Sequence, residues 1–187
     1  TSHDLGRPLA RIPDVDGDAT PDFAVEFASD VHLCSGKDGK ILRALSSPIP
    51  ATEKSRFGFS ICGLPDKVPV VVVGDIQQDL HGSVRLFQID SLADAGAAQK
   101  EGGGAVLVGD DGFSGVGRSV AAAGDVNRDG VQDLAVGWTD GHVGGVLLLS
   151  SKDLSTARAI DDEPDKGQLP LGWRVAAGVD IDGDGTP

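Results

Sequence analysis

The chain has 187 residues, of which 29 are acidic and 16 are lysine or arginine, so its formal net charge at pH 7 is −13. Such a charge repels nucleic acid and anionic membrane surfaces, and no basic stripe offsets it, so we expect no nucleic-acid partner and no membrane insertion. No apolar run reaches the roughly 20 residues of a transmembrane helix, and the 27 glycines indicate a chain rich in turns.

An acidic loop at residues 14–22 is the first element with a chemical signature. Oxygen-bearing side chains occupy its positions 1, 3, 5 and 9, and a backbone carbonyl is available at position 7: Asp14, Asp16, Asp18, Asp22 and Thr20. Ca²⁺ takes six to eight oxygen ligands at about 2.3–2.6 Å, and several carboxylates offset its charge. The pattern therefore predicts a Ca²⁺ site. Ala19 stands at position 6, and if that position needs a positive φ, the strain is expected to lower the affinity.

Short apolar segments on either side of this loop predict strands. A glycine-led segment, 5–10, precedes the loop, and the apolar run 23–27 follows it. Two further strands are predicted at 31–34 and 41–45, the second reached through the Asp-Gly turn at 38–39. Largely apolar runs such as 23–27 are typical of strands buried on both faces.

The same order of segments recurs along the chain. The leading glycines of successive copies are 52, 59 and 55 residues apart: Gly6, Gly58, Gly117 and Gly172. The remaining predicted strands fall at 57–63, 68–73, 83–87 and 105–108 in the second copy, at 116–121, 134–138, 145–149 and 156–160 in the third, and at 171–176 in the fourth. The glycine-rich insert 91–104 is interpreted as a mobile loop, with a short helical turn as the alternative. A period of this length made of short strands is typical of blades repeated around an axis.

The metal-binding pattern recurs in two of these copies. The second loop, 125–133, has the same spacing, with these candidate ligands: Asp125, Asn127, Asp129, Val131 and Asp133. The third loop stops before its position 9 and is expected to form a weaker or incomplete site: Asp180, Asp182, Asp184 and Thr186. In the second copy the corresponding stretch, 64–69, has lost most of its carboxylates, so we expect no metal there.

Acidic turns offer an alternative explanation of these loops, since Asp, Asn and Gly are the usual turn residues. Three copies in matching surroundings favour the metal-binding interpretation. An EF-hand is excluded on spacing, because Val25 and Val136 stand where position 12 of that motif requires a bidentate glutamate.

No catalytic constellation emerges from the other polar residues. The four histidines are scattered: His3, His32, His81 and His142. Ser60 and Ser119 recur at one position of the repeat and are interpreted as structural, bonding the neighbouring backbone. Neither a GxSxG sequence nor a phosphate-binding loop occurs. We therefore expect that the chain is not an enzyme.

The cysteines and tryptophans each allow two interpretations. Cys34 and Cys62 are expected to be small buried residues, with a disulfide as the alternative in an oxidising compartment. Trp138 and Trp173 are expected to fill space between blades, with stacking on a ligand as the alternative.

The order of a Phe-Gly-x-Ser segment, small residues, an acidic loop and an apolar strand resembles the FG-GAP repeat. The residues that carry the resemblance are Phe57–Ser60, Val116–Ser119, Ala123–Gly124 and Ala177–Gly178. This repeat builds the seven-bladed calcium-binding propeller of integrin alpha subunits and occurs in many bacterial extracellular proteins. Because integrin alpha subunits are far longer, we expect a bacterial-type FG-GAP protein, or a fragment of one, rather than an integrin.

The resemblance implies an all-β fold, a β-propeller portion of FG-GAP repeats that spans 1–187. It contains three four-stranded blades, 5–46, 57–109 and 116–160, and the start of a fourth, 171–187. Because a propeller closes only with more blades, we expect the missing ones to come from the rest of a longer chain or from self-association.

The implied function is that of a calcium-stabilised scaffold or recognition module, extracellular or on the cell surface, that binds a protein or glycan ligand in an adhesion-like role. The alternative is a non-catalytic propeller part of a secreted enzyme such as a lyase or a phospholipase. In either case we expect the ligand on the rim opposite the metal loops, where variable loops lie. Those loops are 46–56, 75–82, 110–115, 139–144 and 161–170.

Overall fold

The computed structural model describes residues 8–47, 56–76, 81–89, 106–109, 114–162, 170–178 and 180. Its strands are β1 (Leu9–Ile12), β2 (Asp22–Phe27), β3 (Asp30–Cys34), β4 (Ile41–Ser46), β5 (Phe57–Leu64), β6 (Val70–Asp75), β7 (Ser83–Gln88), β8 (Val106–Val108), β9 (Ser119–Gly124), β10 (Asp133–Thr139), β11 (Gly144–Ser150) and β12 (Thr156–Asp162). They form three four-stranded antiparallel sheets, each hydrogen-bonded in chain order. Over these ranges the chain has no helix, so none is long and apolar enough to cross a membrane.

The all-β prediction is thus confirmed, and the three sheets are compatible with a β-propeller-like fold. The second and third strands of each repeat lie within two residues of their predicted positions. The first strand of the second copy, β5, matches its predicted position of 57–63, whereas those of the first and third copies were placed too early, because β1 begins at Leu9 and β9 begins at Ser119. The predicted strand 171–176 is absent from the described structure, where no strand pairs with this segment.

Adjacent sheets pack face to face and share their cores. Residues of β6 alternate between two apolar clusters: Val70 and Val72 pack with the third sheet, whereas Val71 and Val73 pack with the first. Every residue of β6 and β10 is buried. The prediction of strands buried on both faces is therefore confirmed for these two, and each buried valine stabilises the fold by about 1.5–3 kcal/mol.

The first sheet departs from that prediction. Ala24 of β2 is buried against the second sheet, but Phe27 at the end of the same strand is 61% exposed, and Leu9 of β1 is 67% exposed. The physical reason is that, in the described part of the chain, no sheet covers the outer face of the first one. Arg85 of β7 is partly buried and lies on the same strand face as Phe87, which is buried.

A repeated hydrogen bond joins each of the last two sheets to the glycine-led segment that follows. The Ser60 hydroxyl donates to the Gly117 carbonyl at 2.7 Å, and the Ser119 hydroxyl donates to the Gly172 carbonyl at 2.9 Å. The prediction that these serines bond the neighbouring backbone is confirmed. The shift of β9 has the same origin, since the Gly117 segment contacts the neighbouring sheet before the strand begins.

Glycines on the second strands make room for this contact. Each glycine pairs with a serine on the neighbouring strand of its own sheet, Gly74 with Ser60 and Gly137 with Ser119. A Cβ atom at Gly74 would lie 2.1 Å from the Gly117 carbonyl oxygen, and one at Gly137 would lie 2.1 Å from the Gly172 carbonyl oxygen. Any side chain at these positions would therefore force the sheets apart.

Candidate metal centre

The loop between β1 and β2 brings three carboxylates together. One ligand atom from each of Asp14, Asp16 and Asp18 lies within 4.8 Å of the others. The loop is held in this shape by its own backbone, since the Asp14 carboxylate accepts hydrogen bonds from Gly17 N at 2.7 Å and Ala19 N at 2.8 Å. The alternation of acidic and other residues thus places the side chains on one side of a tight turn.

The loop between β9 and β10 repeats most of this hydrogen-bond pattern at equivalent positions. The carboxylate at position 1, Asp125, accepts from the N–H groups of positions 5 and 6, Asp129 and Gly130, both at 2.9 Å. The position 3 oxygen, on Asn127, accepts from Asp129 N at 2.9 Å, as Asp16 accepts from Asp18 N at 3.1 Å. Two segments separated by more than one hundred residues therefore adopt one loop conformation.

Position 7 of each loop is also held by the loop itself. Thr20 N donates to Asp18 at 2.8 Å, and Val131 N donates to Asp129 at 3.0 Å. These bonds fix the peptide whose carbonyl was predicted as a ligand, and the role of that carbonyl stays a prediction.

The carboxylates at position 9 are buried at the start of the second strands. Asp22 is 1% exposed and Asp133 is 0% exposed. Each accepts a hydrogen bond from the N–H at position 2, Val15 N at 2.7 Å and Val126 N at 2.8 Å. In the first loop the second Asp22 oxygen accepts from Gly36 N at 3.0 Å.

Asp133 differs from Asp22 in having an oxygen without a partner. Its Oδ1 atom is buried and has no hydrogen bond, although buried carboxylate oxygens are almost always satisfied. Desolvation by burial raises the pKa of Asp133, and the nearby charges of Asp129 and Asp125 add to the rise, against hydrogen bonds from Asn127 N and Val126 N. A hard cation would satisfy this oxygen and cancel the repulsion, so the donor set fits Ca²⁺.

Mutual repulsion also marks the first loop. Desolvation raises the pKa of Asp16, and the neighbouring charges of Asp22, Asp18 and Asp14 raise it further. Lys37 offsets part of the repulsion, because its Nζ atom lies 3.8 Å from Asp18.

Both loops pass through left-handed backbone conformations. Position 6 has φ of 67° at Ala19 and 88° at Gly130, so the expectation that this position needs a positive φ is confirmed. Position 4 is left-handed as well, with 80° at Gly17 and 61° at Arg128. Each loop thus has one non-glycine residue in a strained conformation, and the strain at Ala19 does not by itself make the first loop the weaker one.

The turns between third and fourth strands lie beside these loops. Gly36, in the β3–β4 turn, bonds to Asp22, and the Ser150 hydroxyl, at the end of β11, donates to Asp129 at 3.2 Å. The acidic loops and the turns between third and fourth strands therefore lie on the same rim of the sheets.

The third candidate loop is mostly outside the described residues. Asp180 is exposed at its first position. The other three predicted ligands, Asp182, Asp184 and Thr186, lie outside the described residues, and their role stays a prediction.

The histidines form no common centre in the described structure. The His32 ring packs against Phe27 with centroids 5.4 Å apart, and His81 Nδ1 lies 3.4 Å from the Ser114 hydroxyl. His142 occupies the β10–β11 turn, and His3 lies outside the described residues.

Both cysteines are free thiols in the structure. Cys34 is 5% exposed in β3, whereas Cys62 lies in β5 with its residue partly exposed. Burial raises the pKa of the Cys62 thiol to about 12 and also raises that of Cys34. Thiols of this kind stay protonated at neutral pH and are poor nucleophiles. The interpretation of buried structural residues is confirmed for Cys34, and the pKa supports it for Cys62.

The two tryptophans have different environments. Trp138 is 6% exposed inside the cluster between the second and third sheets, so the prediction of a space-filling residue is confirmed for it. For Trp173 the prediction is wrong, because this residue is 39% exposed and lies under the guanidinium of Arg118, 3.4 Å from the ring centroid. The sequence signal for this contact is the residue after each leading glycine, which is large in every copy: Arg7, Phe59, Arg118 and Trp173.

Comparison with known proteins shows a similarity over part of the chain. No family model matches the chain. A stretch of 90 residues is 33% identical to integrin alpha pat-2 of Caenorhabditis briggsae and covers 43% of this chain but only 7% of that protein. The chain thus corresponds to a small part of this relative. The similarity supports an FG-GAP-like repeat.

Proposed function

We propose that the chain is a calcium-stabilised recognition module, extracellular or on the cell surface, whose acidic loops hold Ca²⁺ and whose opposite rim binds a protein or glycan ligand. The observation that carries this proposal is the unsatisfied, buried Oδ1 of Asp133 in a loop that shares its hydrogen-bond pattern with residues 14–22. Such a carboxylate is costly unless a cation completes its environment.

The metal's contribution is structural. Each loop joins the first strand of a sheet to the second, so a divalent cation bound there would hold two strands and offset two of the three or four negative charges in the loop. The residues that would hold it are Asp14, Asp16, Asp18 and Asp22 in one loop, and Asp125, Asn127, Asp129 and Asp133 in the other.

The opposite rim is suited to recognition because it is built from rigid turns. In the β10–β11 turn, Asp140 accepts hydrogen bonds from His142 N at 2.7 Å and Val143 N at 2.9 Å, and Thr139 donates to the Val143 carbonyl at 2.8 Å. On the neighbouring sheet, the His81 carbonyl accepts from Val116 N at 2.9 Å. Ordered turns present side chains at a small entropic cost on binding.

Calorimetric titration with Ca²⁺ tests the metal-binding part. We expect Asp125→Asn to weaken the site in its own loop by about tenfold or more, since it removes a charged ligand. Asp140→Asn is the matched control, because it makes the same charge change on the opposite rim and should leave Ca²⁺ affinity unchanged. Absence of Ca²⁺ binding by the unmodified chain would contradict the proposal.

The recognition part is tested on the turns themselves. Once a bound partner is in hand, His142→Ala and His81→Ala should weaken its binding, while Asp153→Asn, on the metal rim, should not. The reverse result would place the ligand on the metal rim.

A further inference from the structure

A cavity of about 780 Å³ opens on the rim opposite the metal loops. It lies where the beginnings of β1, β5 and β9 meet the segment 173–175. Its lining includes three arginines, Arg56, Arg118 and Arg174, and three aromatic residues, of which Phe57 is buried while Phe59 and Trp173 contact arginines. The only acidic residue among its described lining residues is Glu26. Positive charge is thus concentrated at one place in a chain whose net charge is −13.

The aromatic rings hold two of the arginines in place. The Arg118 guanidinium carbon lies 3.4 Å from the centroid of Trp173 and 5.7 Å from that of Phe59. The Arg56 guanidinium carbon lies 5.1 Å from the Phe59 centroid. Cation–π contacts of this kind orient a guanidinium while leaving its N–H edge free for an acceptor.

One arginine donor in this cavity has no partner in the described structure. Arg118 Nε is buried and has no hydrogen-bond partner. Desolvation lowers the pKa of Arg118, and the like charge of Arg56 lowers it further. Within the described structure, none of the ion pairs involves Arg56, Arg118 or Arg174. Two guanidinium groups that repel each other in a partly desolvated site are stabilised when a carboxylate binds between them.

We infer that this cavity binds a carboxylate side chain of an acidic segment in a protein partner. The inference rests on the proposed function and gives the chemistry of the ligand on that rim. A planar carboxylate matches the paired N–H groups of a guanidinium. Guanidinium groups already lie over the rings of Phe59 and Trp173. These rings therefore orient the arginines rather than offering a stacking platform to a sugar.

The test uses a peptide with blocked ends, Ala-Glu-Asp-Glu-Ala, titrated calorimetrically in excess Ca²⁺, with Ala-Gln-Asn-Gln-Ala as the uncharged control. We expect the acidic peptide to bind and the control peptide to bind at least about tenfold more weakly, since charge-assisted bonds are lost. Arg118→Gln and Arg56→Gln should each weaken the acidic peptide by about tenfold. Arg158→Gln, which removes an exposed arginine of β12 outside the cavity, should have no effect.

The outcomes separate the alternatives. Equal binding by the unmodified chain and both cavity variants, or no binding at all, overturns the inference, as does an equal loss in Arg158→Gln. Tighter binding of an oligogalacturonate than of the peptide would assign the cavity to an anionic glycan instead. If Arg118→Gln unfolds, Arg56→Gln decides, because Arg56 is exposed. Ca²⁺ binding is measured on the same samples, so a failed peptide titration with intact Ca²⁺ sites rejects this inference and leaves the proposed function standing.

Discussion

Two residues in left-handed conformations limit the stability of the acidic loops. Ala19 has φ of 67° and Arg128 has φ of 61°, and the glycines at the alternative positions, Gly17 and Gly130, have open space where a Cβ atom would lie. The cost at Ala19 and Arg128 is therefore backbone strain and not a side-chain collision, and such strain is about 1–2 kcal/mol per residue.

Ala19→Gly and Arg128→Gly should each stabilise the fold by about 1 kcal/mol, because glycine relieves the strain although it adds entropy to the unfolded chain. Urea denaturation measures the change. Ala44→Gly is the control, since this alanine lies in β4 and glycine there should destabilise by about 0.5–1 kcal/mol. Destabilisation by all three substitutions would contradict the role of strain.

At the scale of elements, the contact between a serine, a glycine and the next glycine-led segment sets the spacing of the sheets. Ser60 donates a hydrogen bond to the Gly117 carbonyl, and Gly74 has no side chain that would obstruct this contact. Ser60→Ala should destabilise by about 1–2 kcal/mol, through loss of one bond and a carbonyl left unsatisfied. Gly74→Ala should cost about 2 kcal/mol or more, because its Cβ would collide with backbone.

A variant that combines Ser60→Ala with Gly74→Ala separates the two collisions that a Cβ atom at position 74 would make. A Cβ there would lie 2.3 Å from the Ser60 hydroxyl and 2.1 Å from the Gly117 carbonyl oxygen. Removing the hydroxyl relieves only the first, so Gly74→Ala should remain destabilising in the Ser60→Ala background when unfolding is followed in urea. Full rescue would mean that the side chain, and not the neighbouring backbone, sets the spacing.

How much the sequence predicts depends on whether the cause of a feature is local. The apolar run of β6 and the oxygen spacing of residues 14–22 and 125–133 are local patterns, and the strands and loop conformations they predict are present. The start of β9 and the exposure of Phe27 depend on what packs against them, which no local pattern contains.

The arginine cavity shows the same limit at the scale of the whole molecule. Arg56, Arg118 and Arg174 are far apart in the chain and meet only because the first strands of successive sheets converge. In the sequence each arginine stands alone, with no basic cluster around it. A comparison of equivalent repeat positions gives only a hint, in the large residue that follows each leading glycine.

Metal binding at two loops is expected to control the stability of the whole molecule. The loops join the first two strands of the first and third sheets. Each of these sheets shares an apolar cluster with the second sheet, so loosening either loop exposes part of a cluster between two sheets. A ligand at one hundred times its Kd stabilises the folded state by about 2.7 kcal/mol per site. For a chain of this size that corresponds to a shift of roughly 5–10 °C per site.

Differential scanning calorimetry in Ca²⁺ and in chelator measures this shift. We expect the chelated protein to melt at the lower temperature, and Mg²⁺ to restore less of the difference, because its smaller octahedral shell suits these loops less well. Asp14→Asn combined with Asp125→Asn should reduce the difference between the two conditions, whereas Asp140→Asn should keep the full difference. Identical curves for the unmodified protein would mean that the loops owe their shape to their own hydrogen bonds and need no cation.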